Sequence, residues 1–89
     1  MNDIEIMQKA IDTYGDETQS MVCMEEMAEL TKELVKYWRG ADNVEEIAEE
    51  IADVYITLCE LQLIFGITDK TIRGYKECKL KRLRKSLDF

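Results

Sequence analysis

The sequence predicts an all-α protein: a four-helix bundle that is completed only by oligomerisation. Three observations carry this expectation. The chain has no proline and four glycines, three of which fall just past apolar-periodic segments, where a helix end favours left-handed backbone. Between those glycines, apolar residues recur at helical spacing. The third segment is apolar around so much of its circumference that one short chain cannot cover it.

The elements follow in order. A first helix is expected near 2–14, on the stripe Ile4, Met7, Ile11 and Tyr14. Gly15 ends it, and Asp16 with Gln19 supplies a capping pair for a second helix near 17–39. That helix carries Cys23, Met27, Leu30, Leu34 and Tyr37, flanked by Met24, Val35 and Trp38. After Gly40, Asp42 or Asn43 with Glu46 caps a third helix near 43–65. It bears one stripe at Ile47, Ile51, Val54, Tyr55, Leu58 and Leu61, and another at Ala48, Ala52, Ile56, Cys59 and Leu63. Gly66 closes it, and Thr68 caps a fourth helix near 69–86 with Ile72, Tyr75, Leu80, Leu83 and Leu87 on one side and bases on the other. Gly74 weakens this last helix slightly. No repeat or linker divides the 89 residues, so they read as one domain, small enough for oligomerisation to be expected.

Composition narrows the function. The chain is 46% hydrophobic and 35% charged, which is globular, and its net charge of −7 disfavours nucleic acid as a partner. That charge is unevenly spread, because eight of the twelve basic residues lie in 70–85. Cys23, Cys59 and Cys78 form no CxxC pair and there is no His, so zinc is not expected. At helical spacing among apolar residues, the three read as small buried side chains in a reducing compartment. The acidic start "MNDIEIMQ" has no signal-peptide core, and no apolar run is long enough for a bilayer. A soluble, cytoplasmic protein without membrane contact is the expectation.

The stretch "EEIAEEIADVY" (45–55) works against its own helix. Between Arg39 and Lys70 there are eight acids and no base. Like charges at i,i+4, as in Glu45–Glu49, Glu46–Glu50 and Glu49–Asp53, each destabilise a helix by roughly 0.2–0.5 kcal/mol. The N-terminal macrodipole excuses Glu45 and Glu46 but does not reach Asp53. The second helix holds Glu25, Glu26 and Glu29. Folded as an antiparallel hairpin about Ala41, residues whose numbers sum to about 82 lie level. Glu29 then faces Asp53, with Glu26 and Glu50 each a helical turn, ~4.5 Å, away. Four carboxylates converging would raise one another's pKa. A hard divalent cation relieves them, and an all-oxygen set selects Mg²⁺, with Mn²⁺ as a substitute.

Glu25-Glu26-x-x-Glu29, followed after a gap by Glu50-x-x-Asp53, resembles the E-E-x-x-E…E-x-x-D signature of MazG-like all-α nucleoside triphosphate pyrophosphohydrolases. The likeness extends over most of the chain, through the "YWRG" turn and "EEIADVYITLCELQLIFGI", and is nearest to the compact phage and bacterial members. It implies Mg²⁺-dependent hydrolysis of (deoxy)nucleoside triphosphates to monophosphate and pyrophosphate, a nucleotide-pool activity in a homodimer or tetramer. It implies Glu26, Glu29, Glu50 and Asp53 as metal ligands, with Glu25 in a supporting or water-orienting catalytic role. The family's Lys-x-x-Asn-x-x-Arg-like segment is altered here, with Leu83 at the Asn position of "KECKLKRLRK".

Lys76, Lys79 and Arg82 share one side of the fourth helix and are candidate phosphate contacts, or else a solvated basic end. For the base, Trp38 beside the hairpin turn and Gln19 are candidates. Trp38 is equally placed for the core, and Gln19 for capping. Tyr14 and Tyr37 are expected in the core. With no His to activate Ser or Cys, and glycines too scattered for a phosphate loop, no covalent nucleophile or P-loop is expected. Two rivals remain: a non-catalytic acidic helical interaction or regulatory module, and a nucleic-acid binder acting through the basic tail.

Overall fold

The computed structural model describes residues 1–87. It consists of α1 (Asp3–Tyr14), α2 (Asp16–Trp38), α3 (Val44–Phe65) and α4 (Asp69–Ser86). These agree with the expected helices to within a residue or so at each end. Gly15, Gly40 and Gly66 all have positive φ, so each expected break is a position that side chains resist. At Gly66 (φ 65°) the backbone turns left-handed and its N–H donates to the Gln62 carbonyl.

The caps hold one surprise. Thr68 caps α4 as expected, its Oγ1 accepting from the Thr71 N–H at 3.2 Å, and Asn2 caps α1 by accepting from the Glu5 N–H at 2.8 Å. Asp16, expected as the cap of α2, is instead its first helical residue, because the turn is made by Gly15 alone (φ 97°). A one-residue connection leaves no room for a separate capping side chain. Asp16 and Glu17 still favour the helix by sitting at its positive end. Asn43 occupies the N-cap position of α3, but its side chain makes no cap. Its Nδ2 donates across the hairpin to the Glu33 carbonyl of α2, buried and 2.9 Å long.

Antiparallel α2 and α3 form the main packing, and α1 lies against both. The chain bends by 116° between α3 and α4. Gln62 fixes that corner, donating to the Asp69 carboxylate at 2.9 Å and the Ile67 carbonyl at 3.3 Å. Beyond it, α4 packs on none of the other helices and buries no residue. One copy is therefore a three-helix body with a projecting fourth helix. Among the described residues, no single helix is long and apolar enough to cross a membrane.

The apolar core is small. Among the described residues, Ile11 (4% exposed) and Cys23 (0%) are the only buried hydrophobic ones. Tyr14 and Tyr37, expected inside, are exposed in the single copy, as are Cys59 and Cys78.

The Asn43 bond yields a stability test. Asn43→Ala is expected to lower unfolding free energy by about 1 kcal/mol, the net value of one such hydrogen bond. Asn43→Asp is expected to lower it further, because a carboxylate then meets the carbonyl that the amide held. Denaturant titrations of the two variants beside the parent check this.

Candidate metal centre

The α2–α3 seam is lined with polar side chains from end to end. At one end Gln19 Nε2 donates to Glu60 Oε2 at 3.0 Å, with Gln19 8% and Glu60 4% exposed. At the other, Asn43 holds α2 as described, beside buried Glu33. Glu33 is balanced by Lys36, whose Nζ lies 3.1 Å from Glu33 Oε2. Thr57, also buried, turns its hydroxyl back to the Asp53 and Val54 carbonyls of its own helix.

Midway along the seam, carboxylate oxygens of Glu26, Glu50 and Asp53 all lie within 4.8 Å of one another. Glu26 and Glu50 are half-buried, whereas Asp53 is exposed and marks the open side. Among the described residues, no cation is paired with any of them. One oxygen of Glu50, Oε2, is buried without a hydrogen-bond partner. An unpaired buried carboxylate oxygen is expensive, since its hydration is lost and nothing replaces it.

Electrostatics shows the strain. The Glu26 carboxyl is pushed above its ordinary value by loss of hydration first, then by the charges of Asp53 and Glu50, a hydrogen bond with Asp53, and the Glu29 charge. Glu50 is raised likewise, by loss of hydration first and then by Asp53, Glu29, Glu33 and Glu49. Without a cation, the arrangement therefore favours the protonated forms of Glu26 and Glu50.

Three of the four expected ligands are thus brought together. Glu29 is exposed and outside the converging trio, though close enough to raise both Glu26 and Glu50. The expected Glu29–Asp53 level pair is replaced by Glu26 with Asp53, nearly a turn displaced, in the same register as Gln19 with Glu60. Glu25 is exposed on the next position of α2. The amide of Gln19, a candidate for the base, is engaged by Glu60 inside the seam. Trp38 is 81% exposed and meets the Tyr37 ring edge-on, centroids 5.1 Å apart. Lys76, Lys79 and Arg82 are exposed on α4, clear of the helices that form the cluster.

Sequence reasoning passed over Glu33, Glu60 and Thr57, and read Asn43 only as a candidate cap. A signal was present: Gln19, Glu26 and Glu33 recur every seven residues, as do Asp53 and Glu60. Seven-residue spacing keeps side chains on one helix face.

The donor set fits a hard divalent cation. It offers only carboxylate oxygens, and the orphaned Glu50 oxygen lacks the positive partner that such an ion supplies. Mg²⁺, with ligands about 2.1 Å away, would draw these oxygens slightly closer. The chain matches none of the protein-family models, the curated proteins or the solved structures it was compared with.

The raised carboxyls fix a pH dependence. Folded-state values above the unfolded 4.5 mean a contribution to stability that is fully present below 4.5 and is lost as pH rises through the raised values. Metal-free protein is expected to gain stability from these two groups as pH falls from neutrality towards 4.5. Melting temperatures in EDTA across that window, for the parent and Glu50→Gln, isolate the effect: the variant should lose part of the pH slope.

Proposed function

We propose that this chain is a divalent-metal-dependent hydrolase of nucleoside triphosphates that releases pyrophosphate. The observation that carries the reading is the convergence of Glu26, Glu50 and Asp53 about a buried, partnerless Glu50 oxygen. The resemblance of Glu25-Glu26-x-x-Glu29 and Glu50-x-x-Asp53 to the MazG-like signature supports the substrate class.

Glu26, Glu50 and Asp53 would hold the metal, with Glu29 beside them. Mg²⁺ bound there supplies Lewis-acid polarisation of phosphate oxygens and a water of lowered pKa. The chain's own contribution is placement. The seam holds Glu26 and Glu50 half-dry on two helices, and Asp53 opens the cluster to an arriving polyphosphate. Glu25, exposed next to a ligand, is the candidate for orienting water. The cations proposed for the polyphosphate, Lys76, Lys79 and Arg82, rest on charge alone, and Trp38 is the exposed ring offered to a base. The small core supports a homo-oligomer as the working form.

Divalent metal is expected to raise the melting temperature, because it binds the native cluster and relieves its repulsion. A hundredfold excess of metal over Kd corresponds to ~2.7 kcal/mol. Melting curves in EDTA and in millimolar Mg²⁺ check this; coincident curves would count heavily against a metal centre.

Activity is tested by pyrophosphate release over canonical and modified nucleotides with Mg²⁺. Glu26→Gln, Glu50→Gln and Asp53→Asn are each expected to lower turnover by about 100-fold or more, the scale of several kcal/mol of lost charge stabilisation. Glu45→Gln, the same charge change near the start of α3, should retain turnover. Metal-dependent stabilisation without turnover on any nucleotide would favour the alternative, a non-catalytic helical interaction module.

A further inference from the structure

α4 is an 18-residue helix that stands clear of its own body. Its apolar stripe of Ile72, Leu80, Leu83 and Leu87 is 38–58% exposed. A solitary helix of this length is marginal in water, and the stability of such helices comes from covering an apolar face. Its own body is out of reach, since the 116° bend and the Gln62–Asp69 bond aim it away.

The charge distribution identifies what can cover it. Through Thr68 the chain has four basic and sixteen acidic residues, a net of −12; α4 has eight basic and two acidic, a net of +6. The helix that lacks a partner is thus opposite in charge to the surface that every other copy presents. On that surface, α1 and α3 leave an apolar groove of about 360 Å³ lined by Asp3, Ile6, Met7, Tyr55, Ile56 and Cys59. Tyr55 is 67% exposed there.

Area agrees. The chain exposes 7385 Å², whereas a compact monomer of its mass exposes about 5,400 Å². Its radius of gyration is 16.0 Å, against about 12 Å for a compact chain of this length. The excess comfortably exceeds the ~800 Å² per partner of a stable interface. An anionic membrane also attracts a basic amphipathic helix, but it repels the −12 body that carries it.

We propose that α4 is an exchanged arm, its Ile72–Leu87 stripe seated in the α1–α3 groove of a second copy whose own α4 does the same in return. Reciprocal exchange closes a two-fold dimer. The Tyr55–Ile56–Cys59 side of α3 is then covered by the partner, whereas the acidic cluster faces α2. This proposal therefore stands apart from the metal chemistry.

The test uses the full chain. Sedimentation velocity at micromolar concentration is expected to show a dimer. Leu80→Lys/Leu83→Lys on the arm and Tyr55→Lys in the groove should each weaken it by about 30-fold or more, the scale of losing a hot-spot residue. Circular dichroism should show the body still helical. Mixing the arm variant with the groove variant leaves one intact arm and one intact groove, and should restore heterodimers. Zero-length carbodiimide coupling of mixed ¹⁴N and ¹⁵N copies should join α4 lysines of one copy to Asp3 and neighbouring acids of another. A monomeric parent, pairing of α4 with α4, coupling within one copy only, or a monomer that binds anionic vesicles through α4 would each overturn the proposal.

Discussion

Everything in this molecule is arranged around one contact, the antiparallel seam between α2 and α3. In most small helical proteins such a seam is filled with Leu and Ile, and burial drives it shut. Here its buried residues are chiefly Gln19, Cys23, Glu33, Asn43, Thr57 and Glu60. The ends are closed by hydrogen bonds that cross from helix to helix, Gln19 to Glu60 and Asn43 to the Glu33 carbonyl. These bonds fix register more sharply than apolar packing would, because a slip of one turn leaves a buried amide or carboxylate unpaired. With both ends pinned, the carboxylates in the middle have nowhere to retreat. The crowding of Glu26, Glu50 and Asp53 is therefore imposed by the fold, and it leaves the buried Oε2 of Glu50 without a partner, as Asn43 Oδ1 is left at the end of the seam.

The same seam explains the thinness of the rest. Polar groups take most of the buried positions, and large apolar residues such as Ile6, Met24, Leu34, Tyr55 and Leu80 are left exposed across all four helices. That distribution makes a poor monomer and a good subunit. Apolar area removed from water contributes about 25 cal/mol per Å², and in this chain much of that area becomes available only on association. In the dimer proposed above, folding and assembly would be one equilibrium, with an apparent stability that depends on protomer concentration.

What the sequence made legible follows the range of the physics involved. Helix ends are local: glycines at 15, 40 and 66 and Thr68 act within a few residues, and all lie where periodicity and capping place them. The exception, Asp16, arises because the linker is a single residue, which composition alone does not reveal. Pairing between helices is longer in range. Counting outward from Ala41 assumes a symmetric turn, yet Asn43 spends its side chain on α2 and the level pairs shift by nearly a turn, bringing Glu26 rather than Glu29 against Asp53. Burial is the longest in range of all. Cys59, Cys78, Tyr14 and Tyr37 have the spacing of core residues, and spacing says which residues share a face but not whether anything lies against it.

A last consequence concerns what occupies the cluster when no metal does. Glu26 and Glu50 both favour the protonated form more than an ordinary carboxyl does, and a proton on either relieves the same repulsion as a cation would. On the metal-site reading proposed above, proton and metal would compete for one set of oxygens, so metal binding would release protons and weaken as pH falls. The competition is unequal. A proton removes one negative charge from Glu26 or Glu50, but the Asp53, Glu29, Glu33 and Glu49 charges that act on Glu50 remain, with Lys36 already committed to Glu33. A divalent ion brings two charges and several coordination positions to that point at once. On that reading the cluster tolerates a proton and is completed by a divalent ion, with the partnerless Glu50 Oε2 as the oxygen a cation would satisfy.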